Sequence, residues 1–161
     1  MTVVNADLHD LLLERLRTRF ESLKNELGFA SSFEELDDIF YLQDSILNSG
    51  FVARALERQI CARIVDSYMG WNNYLHTLIM PDIHSMIQMN ESKLLGDDDK
   101  REALRLIGDS MKLVSMNLVI GATRDNKLAA KFIDDAAIFW NETYQPRLEH
   151  LMRKVHGGWK K

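Results

Sequence analysis

The chain has 161 residues, of which 46% are hydrophobic and 27% are charged, and this composition argues against a disordered protein. The formal net charge of −4 argues against a dedicated nucleic-acid binder, because neutralising phosphates requires a basic face. The single cysteine, Cys61, excludes an intramolecular disulfide and favours a reducing, cytoplasmic location. The sequence predicts neither a signal peptide nor an apolar stretch of the roughly 18 residues that a membrane span needs.

The spacing of apolar residues predicts helices along nearly the whole chain. The first predicted helix covers about 6–27, and one of its faces carries Leu8, Leu12, Leu16, Phe20, Leu23 and Leu27. Gly28 follows as a left-handed C-terminal cap, with Phe29 as its apolar partner. Ser32 and Glu35 then have the spacing of a capping box, which predicts a second helix that ends near Gly50.

The third predicted helix runs from about 51 to 80, and Pro81 ends or kinks it. Its apolar side, on a helical wheel, contains Ile60, Ile64, Trp71, Leu75 and Leu78. A short fourth helix is predicted over about 82–94.

The fifth predicted helix, about 98–120, has two apolar stripes on opposite sides. One contains Leu104, Ile107, Met111, Val114 and Leu118, and the other contains Leu106, Leu113 and Ile120. A helix that is apolar on two sides is buried on two sides, so this helix is expected to be central or to contact another subunit.

A sixth helix is predicted to begin at Thr123 or Asp125, to be interrupted at Pro146, and to resume as far as Gly157 and Gly158. No strand-like alternation bounded by turns is found. The predicted fold class is therefore all-α: a single-domain bundle of five or six helices over residues 1–161, with a central, doubly apolar fifth helix.

Two Trp-Asn pairs are the first candidate binding elements. The candidate residues are Trp71, Asn72, Tyr74, His76, Trp140 and Asn141. An aromatic anchor beside a polar rim is typical of a binding groove. The alternative is that each tryptophan packs in the core while the asparagines lie outside it, and we predict this second arrangement.

Two acidic residues, Glu57 and Asp135, lie within or beside predicted apolar faces. A carboxylate inside a bundle must be paired or protonated, which makes these two residues candidates for acid–base or metal chemistry. The alternative for Glu57 is a position near the end of the bundle, where it reaches water or an arginine such as Arg54 or Arg58.

A run of acids in the second helix provides low-ranking metal candidates, namely Glu34, Glu35, Asp37 and Asp38. Their Glu-x-x-Asp spacing is similar to the one with which all-α nucleotide pyrophosphohydrolases hold Mg²⁺. The second acidic pair that such a site needs is represented only by Asp134 and Asp135, whose spacing does not match. The acids are also explained as charges that favour a helix N-terminus.

The sequence predicts no resident metal and no cofactor, because histidine, cysteine and phosphate-loop motifs are absent from it. The leading hypothesis is a non-catalytic cytoplasmic helical-bundle protein that acts by protein–protein interaction, as an adaptor, regulator or assembly subunit. Alternatives are a Mg²⁺-dependent nucleotide hydrolase and a bundle that binds a small ligand near Trp71. A protein partner and a homodimer are expected, the homodimer from the apolar surface of Leu113, Met116 and the methionine-rich fourth helix.

Overall fold

The computed structural model describes residues 2–161, with side chains described from Ala6 onward. All regular structure in this range is helical, which confirms the all-α prediction. The α-helices are α1 (Thr2–Leu27), α2 (Phe33–Phe40), α3 (Leu42–Ser49), α4 (Leu56–Ile79), α5 (Met86–Lys93), α6 (Asp97–Val114), α7 (Met116–Thr123), α8 (Asn126–Phe139) and α9 (Gln145–Trp159). A π-helical turn, Trp140–Tyr144, joins α8 to α9.

The chain forms two compact units. The first contains the residues up to Val65 together with Met116–Ala137, and the second contains Asp66–Ser115 together with Ile138–Lys161. The expectation of one domain over the whole chain stays a prediction. None of the described helices combines the length and the apolar character needed to cross a lipid bilayer.

The first unit has an aromatic core at its N-terminal end. The ring of Phe20 lies 5.5 Å from that of Phe29 and 5.3 Å from that of Phe33, both in edge-to-face geometry. The chain reverses here because Gly28 takes a left-handed conformation (φ +80°), as predicted, and its N–H donates to the carbonyl oxygen of Lys24. The predicted cap at Ser32 is also confirmed, since its hydroxyl accepts a hydrogen bond from the backbone N–H of Glu35.

The predicted second helix is two helices. Tyr41 separates α2 from α3 in a left-handed conformation (φ 54°), and its N–H donates to the carbonyl oxygen of Asp37. The side chain of Asp37 then accepts a hydrogen bond from the backbone N–H of Gln43, at 2.7 Å. A carboxylate that caps the next helix therefore makes the break possible, and the apolar spacing did not reveal it.

The predicted fifth helix is also two helices, α6 and α7, which are separated at Ser115. Leu106 and Ile120 are buried, but Leu104, Met111 and Leu118 of the other stripe are exposed. Within the single chain this helix is therefore not buried along both stripes, and the alternative expectation, that the exposed stripe contacts another subunit, stays a prediction.

The core of the second unit includes buried residues from α4, α6 and α9: Tyr68, Asn72, Leu75, Leu78, Ala103, Leu106, Ser110, Val114, Leu148, Leu151 and Val155. The predicted interruption at Pro146 is present as a π turn between α8 and α9, and the chain stays helical through it. The π turn ends just before Pro146, where the N–H of Gln145 donates to the carbonyl oxygen of Trp140, and Pro146 lies in the first turn of α9. A π turn contains one more residue than an α-helical turn. This extra residue sets the register of α9, in which Tyr144 and Leu148 share a buried face.

Candidate functional site

A buried polar network lies in the core of the second unit. Asn72 is only 3% exposed, and its side-chain N–H donates to the hydroxyl of Ser110 at 2.8 Å. The hydroxyl of Tyr144 donates to the side-chain oxygen of Asn72, also at 2.8 Å. The hydroxyl of Ser110 donates to the carbonyl oxygen of Ile107 at 2.8 Å. Each of these three side chains has a hydrogen-bond partner within the group, so the network fixes the packing of α4, α6 and the π turn.

The placement of the first Trp-Asn pair is the reverse of the prediction. Trp71 is 39% exposed, whereas Asn72 is buried. The physical reason is the direction of the buried face: Tyr68, Asn72 and Leu75 have the i, i+4, i+7 spacing of one helix face, and Trp71 lies outside it. Trp71 therefore does not anchor the core, although its ring makes an edge-to-face contact with that of Tyr74 at 6.4 Å.

The second pair fits its prediction better. The ring of Trp140 is half-buried and stacks on Tyr144 at 5.3 Å, and it meets Tyr68 edge-on at 5.7 Å. Asn141 is exposed, as expected. Burial raises the pKa of the hydroxyls of both Tyr68 and Tyr144, so neither residue is ionised near neutral pH. The two Trp-Asn pairs thus have different surroundings and are not equivalent elements.

The other two candidates near the first Trp-Asn pair, Tyr74 and His76, also differ from one another. Tyr74 is half-buried, and its hydroxyl donates to a carboxylate oxygen of Glu91 at 2.9 Å. The other oxygen of Glu91 accepts a hydrogen bond from the indole N–H of Trp159 at 3.1 Å. Burial and the Glu91 carboxylate raise the pKa of Tyr74 to about 12. His76 is exposed, and its backbone carbonyl accepts a helical bond from Met80.

The two candidate carboxylates of the predicted apolar faces, Asp135 and Glu57, have different surroundings. Asp135 forms an ion pair with Lys131, one turn away on α8, which accounts for its charge. Glu57 is half-buried and lines a cavity of about 370 Å³ in the first unit. The other lining residues of this cavity are Ala55, Arg58, Ile120, Gly121, Arg124, Asn126 and Ala129.

Arg58 is the unusual member of that lining. Its Nη1 atom is buried and has no hydrogen-bond partner in the described part of the chain. A buried donor that is left unpaired costs about 1–3 kcal/mol, and more when the group is charged. The lining of the cavity therefore includes a cation with one buried nitrogen, Nη1, that the described part of the chain leaves unpaired. Glu57 was identified from the sequence because it lies in a predicted apolar face. Arg58 was suggested only as a possible partner for Glu57.

The acids of α2 have structural roles. Glu34 pairs with Arg17 at 3.0 Å, and Asp37 caps α3. Asp134 accepts hydrogen bonds from the backbone N–H groups of Ala30 and Ser31 and from the hydroxyl of Ser31, and so holds the turn before α2. Glu35 and Asp38 are exposed. Among the residues that the structure describes, no group of three or more His, Cys, Asp or Glu side chains is placed to hold a metal ion.

An exposed apolar surface lies between α4 and α5. We define the 80–87 surface by its four most exposed apolar side chains, Met80, Ile83, Met86 and Ile87, which are between 65% and 79% exposed. The exposed methionines agree with the expectation that the fourth predicted helix contributes apolar surface. That helix begins four residues later than predicted, because Ser85 caps it by accepting from the N–H of Gln88.

The backbone under this surface is fixed by polar contacts. The N–H of Asp82 donates to the side-chain oxygen of Gln88 at 2.8 Å, and the side chain of Asp82 accepts from the N–H of His84 at 2.9 Å. The N–H of Ser85 donates to the carbonyl oxygen of Asp82 at 3.0 Å. The turn is therefore ordered by hydrogen bonds while its apolar side chains point to solvent.

Comparison of this chain with models of known protein families, with curated proteins and with solved structures finds no match.

Proposed function

We propose that the protein is a non-catalytic cytoplasmic helical-bundle protein that acts by protein–protein interaction through the 80–87 surface. The observation that supports this proposal is the exposure of four large apolar side chains on one short segment whose backbone is held by hydrogen bonds. Water-exposed apolar groups of this size mark interaction sites when they are contiguous. A fixed backbone reduces the conformational entropy that is lost on binding.

The chemistry of the surface favours an apolar protein face as its partner. Two of its four side chains are methionines, whose flexible thioether chains adapt to irregular apolar surfaces. Asp82 and His84 are the ionisable residues of the segment 80–87, and a carboxylate oxygen of Asp82 is already used within the turn. A second copy of this chain is the first partner to test, because a two-fold dimer buries the same surface on both subunits.

The test compares two Ile→Asp variants in the second unit. Ile83 is 77% exposed and belongs to the 80–87 surface, whereas Ile138 is 53% exposed and lies elsewhere in the sequence. Ile83→Asp should shift the free energy of unfolding by no more than about 0.5 kcal/mol, since Ile83 is largely exposed, while Ile138→Asp should cost more because Ile138 is only about half-exposed and lies in α8. Light scattering at high protein concentration should show a dimer of the 18.6 kDa chain for the wild type and for Ile138→Asp, and a monomer for Ile83→Asp.

The same variants serve when the partner is another protein. Affinity purification from the native host should then recover a partner with the wild type and with Ile138→Asp but not with Ile83→Asp. A wild-type monomer that recovers the same proteins as Ile83→Asp would contradict the proposed interaction surface.

A further inference from the structure

The cavity beside Arg58 has an apolar floor and a charged rim. Ile120 and Ala129 are each 1% exposed and form buried apolar lining, while Arg124 and Asn126 are exposed. Its volume of about 370 Å³ lies at the lower end of the range of small-molecule sites. The ligand that it suits is therefore small, with an apolar part for the floor and a polar part for the rim.

The guanidinium of Arg58 is held against the backbone of Gly121. A Cβ atom built on Gly121 would lie 3.1 Å from Nη2 of Arg58 and 3.6 Å from its Nη1. A glycine at this position on α7 therefore gives the guanidinium room to enter the cavity lining. Nη1 is buried there without a partner, and a planar guanidinium is suited to bind an anion through two parallel N–H groups.

The charges of the lining favour an anion with a single negative charge. Arg58 and Arg124 contribute two positive charges and Glu57 one negative charge, and none of the ion pairs of the described residues involves these three side chains. The net charge of the lining is thus +1. A phosphate dianion would leave an excess of negative charge next to Glu57.

The N-terminus of α8 does not supply a separate phosphate site. The carboxylate of Asp125 already accepts hydrogen bonds from the N–H groups of Lys127 and Leu128, at 2.9 and 3.1 Å. These donors are satisfied, and the carboxylate adds negative charge beside Asn126 of the cavity lining. Both facts favour a monoanion that is bound by the arginines.

We propose that this cavity is a binding site for a small organic monocarboxylate. Its carboxylate is bound by the guanidinium of Arg58 with support from Arg124, and its short apolar chain lies against Ala55, the exposed apolar residue of the lining, above the buried Ile120 and Ala129. This site lies in the first unit and is independent of the 80–87 surface, so either proposal can fail without the other.

The test measures the binding of butyrate by calorimetry and by the shift in melting temperature, because a ligand that binds only the folded state stabilises it. Butyramide, which has nearly the same shape without the charge, and inorganic phosphate are the comparison probes, at equal ionic strength. Butyrate is expected to bind and to raise the melting temperature at millimolar concentration. Butyramide should have no effect, and phosphate should bind more weakly than butyrate.

Two variants connect the binding to the cavity. Arg58→Gln should weaken butyrate binding about 10- to 100-fold, which is the effect of losing a charged hydrogen-bonding pair. Gly121→Ala should weaken it by less, because the new methyl group would lie 3.1 Å from Nη2 and shifts the guanidinium only slightly, while alanine is itself a good helix former and keeps α7 folded. Arg101→Gln is the matched control, since Arg101 lies outside the cavity and pairs with Asp98 on the surface.

Three results would overturn the proposal. The first is the absence of butyrate binding by the folded wild-type protein, and the second is binding of unchanged strength in Arg58→Gln. The third is a pairing of Arg58 with Asn117, whose Oδ1 is also buried without a partner and which lies one turn before Gly121 on α7. In that case Asn117→Ala would destabilise the protein as much as Arg58→Gln does, and butyrate would have no effect on either.

Discussion

The hydroxyl of Tyr144 donates a 2.8 Å hydrogen bond to the side chain of Asn72, and both side chains are buried. Tyr144 ends the π turn and Asn72 lies in α4, so this bond joins two segments that are 72 residues apart in sequence. Its position in an apolar core makes it expensive to break, because a buried polar group that loses its partner keeps the full cost of desolvation.

We predict that Asn72→Ala destabilises the protein by about 2–3 kcal/mol, since it leaves the hydroxyls of Tyr144 and Ser110 without this partner. Trp71→Ala should cost about 1 kcal/mol, because the Trp71 ring is already 39% exposed. Urea denaturation of the two variants gives both free energies of unfolding. Tyr144→Phe is the conservative comparison and should lie between the wild type and Asn72→Ala. A larger loss for Trp71→Ala than for Asn72→Ala would restore the prediction made from sequence.

The helix ends that were predicted correctly depend only on interactions between residues that are close in sequence. Gly28 and Ser32 each act on backbone groups within four residues, so their roles can be inferred without knowledge of the fold. The direction of a buried face is not local, because it depends on which helices pack against it. The spacing of Tyr68, Asn72 and Leu75 was present in the sequence, but asparagine is mostly exposed in proteins, and a tryptophan is the more usual core residue.

The candidate site also has one feature that the sequence reveals and one that depends on the packing of the helices. The unusual position of Glu57 was visible as an acid within an apolar face, and it does line a cavity. The unpartnered atom of Arg58 could not be inferred, because it depends on the approach of α7 and on the absence of a side chain at Gly121. The fifth helix was predicted to end at about 120, but α7 continues to Thr123, so Gly121 lies within a helix.

Arg147 provides a test of pH dependence. It forms ion pairs with Glu102 and with Asp109, the second at 2.9 Å, and the hydrogen bond from Arg147 is the largest cause of the lowered pKa of Asp109. A carboxyl group with a lowered pKa in the folded state stabilises the fold above its unfolded pKa, and this contribution is lost as the pH falls. Since these side chains are 26–40% exposed, solvent screening limits the contribution to about 1 kcal/mol or less.

We therefore predict that Arg147→Gln lowers the free energy of unfolding by about 0.5–1 kcal/mol at neutral pH. The difference from the wild type should begin to shrink as the pH falls below about 3.9, the ordinary pKa of an aspartic acid, and should disappear below the lowered pKa of Asp109 in the folded protein. Urea denaturation across this pH range measures it. Arg101→Gln removes a more exposed ion pair and should change little at any pH. A difference for Arg147→Gln that persists unchanged in acid would show that Arg147 acts by packing and not by charge.

The thiol of Cys61 should be inert in the folded protein. Burial raises its pKa to about 12, and the nearby Arg58 only partly offsets this effect. Because the thiolate is the reactive form and reagent cannot reach a buried sulfur, labelling with Ellman's reagent at pH 8 should proceed no faster than unfolding. The rate should rise steeply through the urea transition. Rapid labelling of a protein whose circular dichroism remains native would contradict this burial.

The two adjacent glycines of α9 allow a matched comparison. They were expected to end the last helix, yet α9 continues through both of them to Trp159. A Cβ atom on Gly158 would lie 2.6–2.9 Å from three side-chain atoms of Leu94, whereas one on Gly157 would have no such atom within 4 Å. Gly158 is therefore required for close packing of α9 on Leu94, and Gly157 is not.

We predict opposite effects for the two alanine variants. Gly157→Ala should stabilise the protein by up to about 1 kcal/mol, because alanine is the better helix former. Gly158→Ala gains the same helix propensity but must displace Leu94, and overpacking of this kind costs about 1–3 kcal/mol. Gly157→Ala should thus be more stable than Gly158→Ala in urea denaturation, and Leu94→Ala should remove most of the difference by clearing the space that the new methyl group needs. Equal stabilities of the two glycine variants, with Leu94 intact, would mean that the end of α9 does not pack on Leu94 in solution.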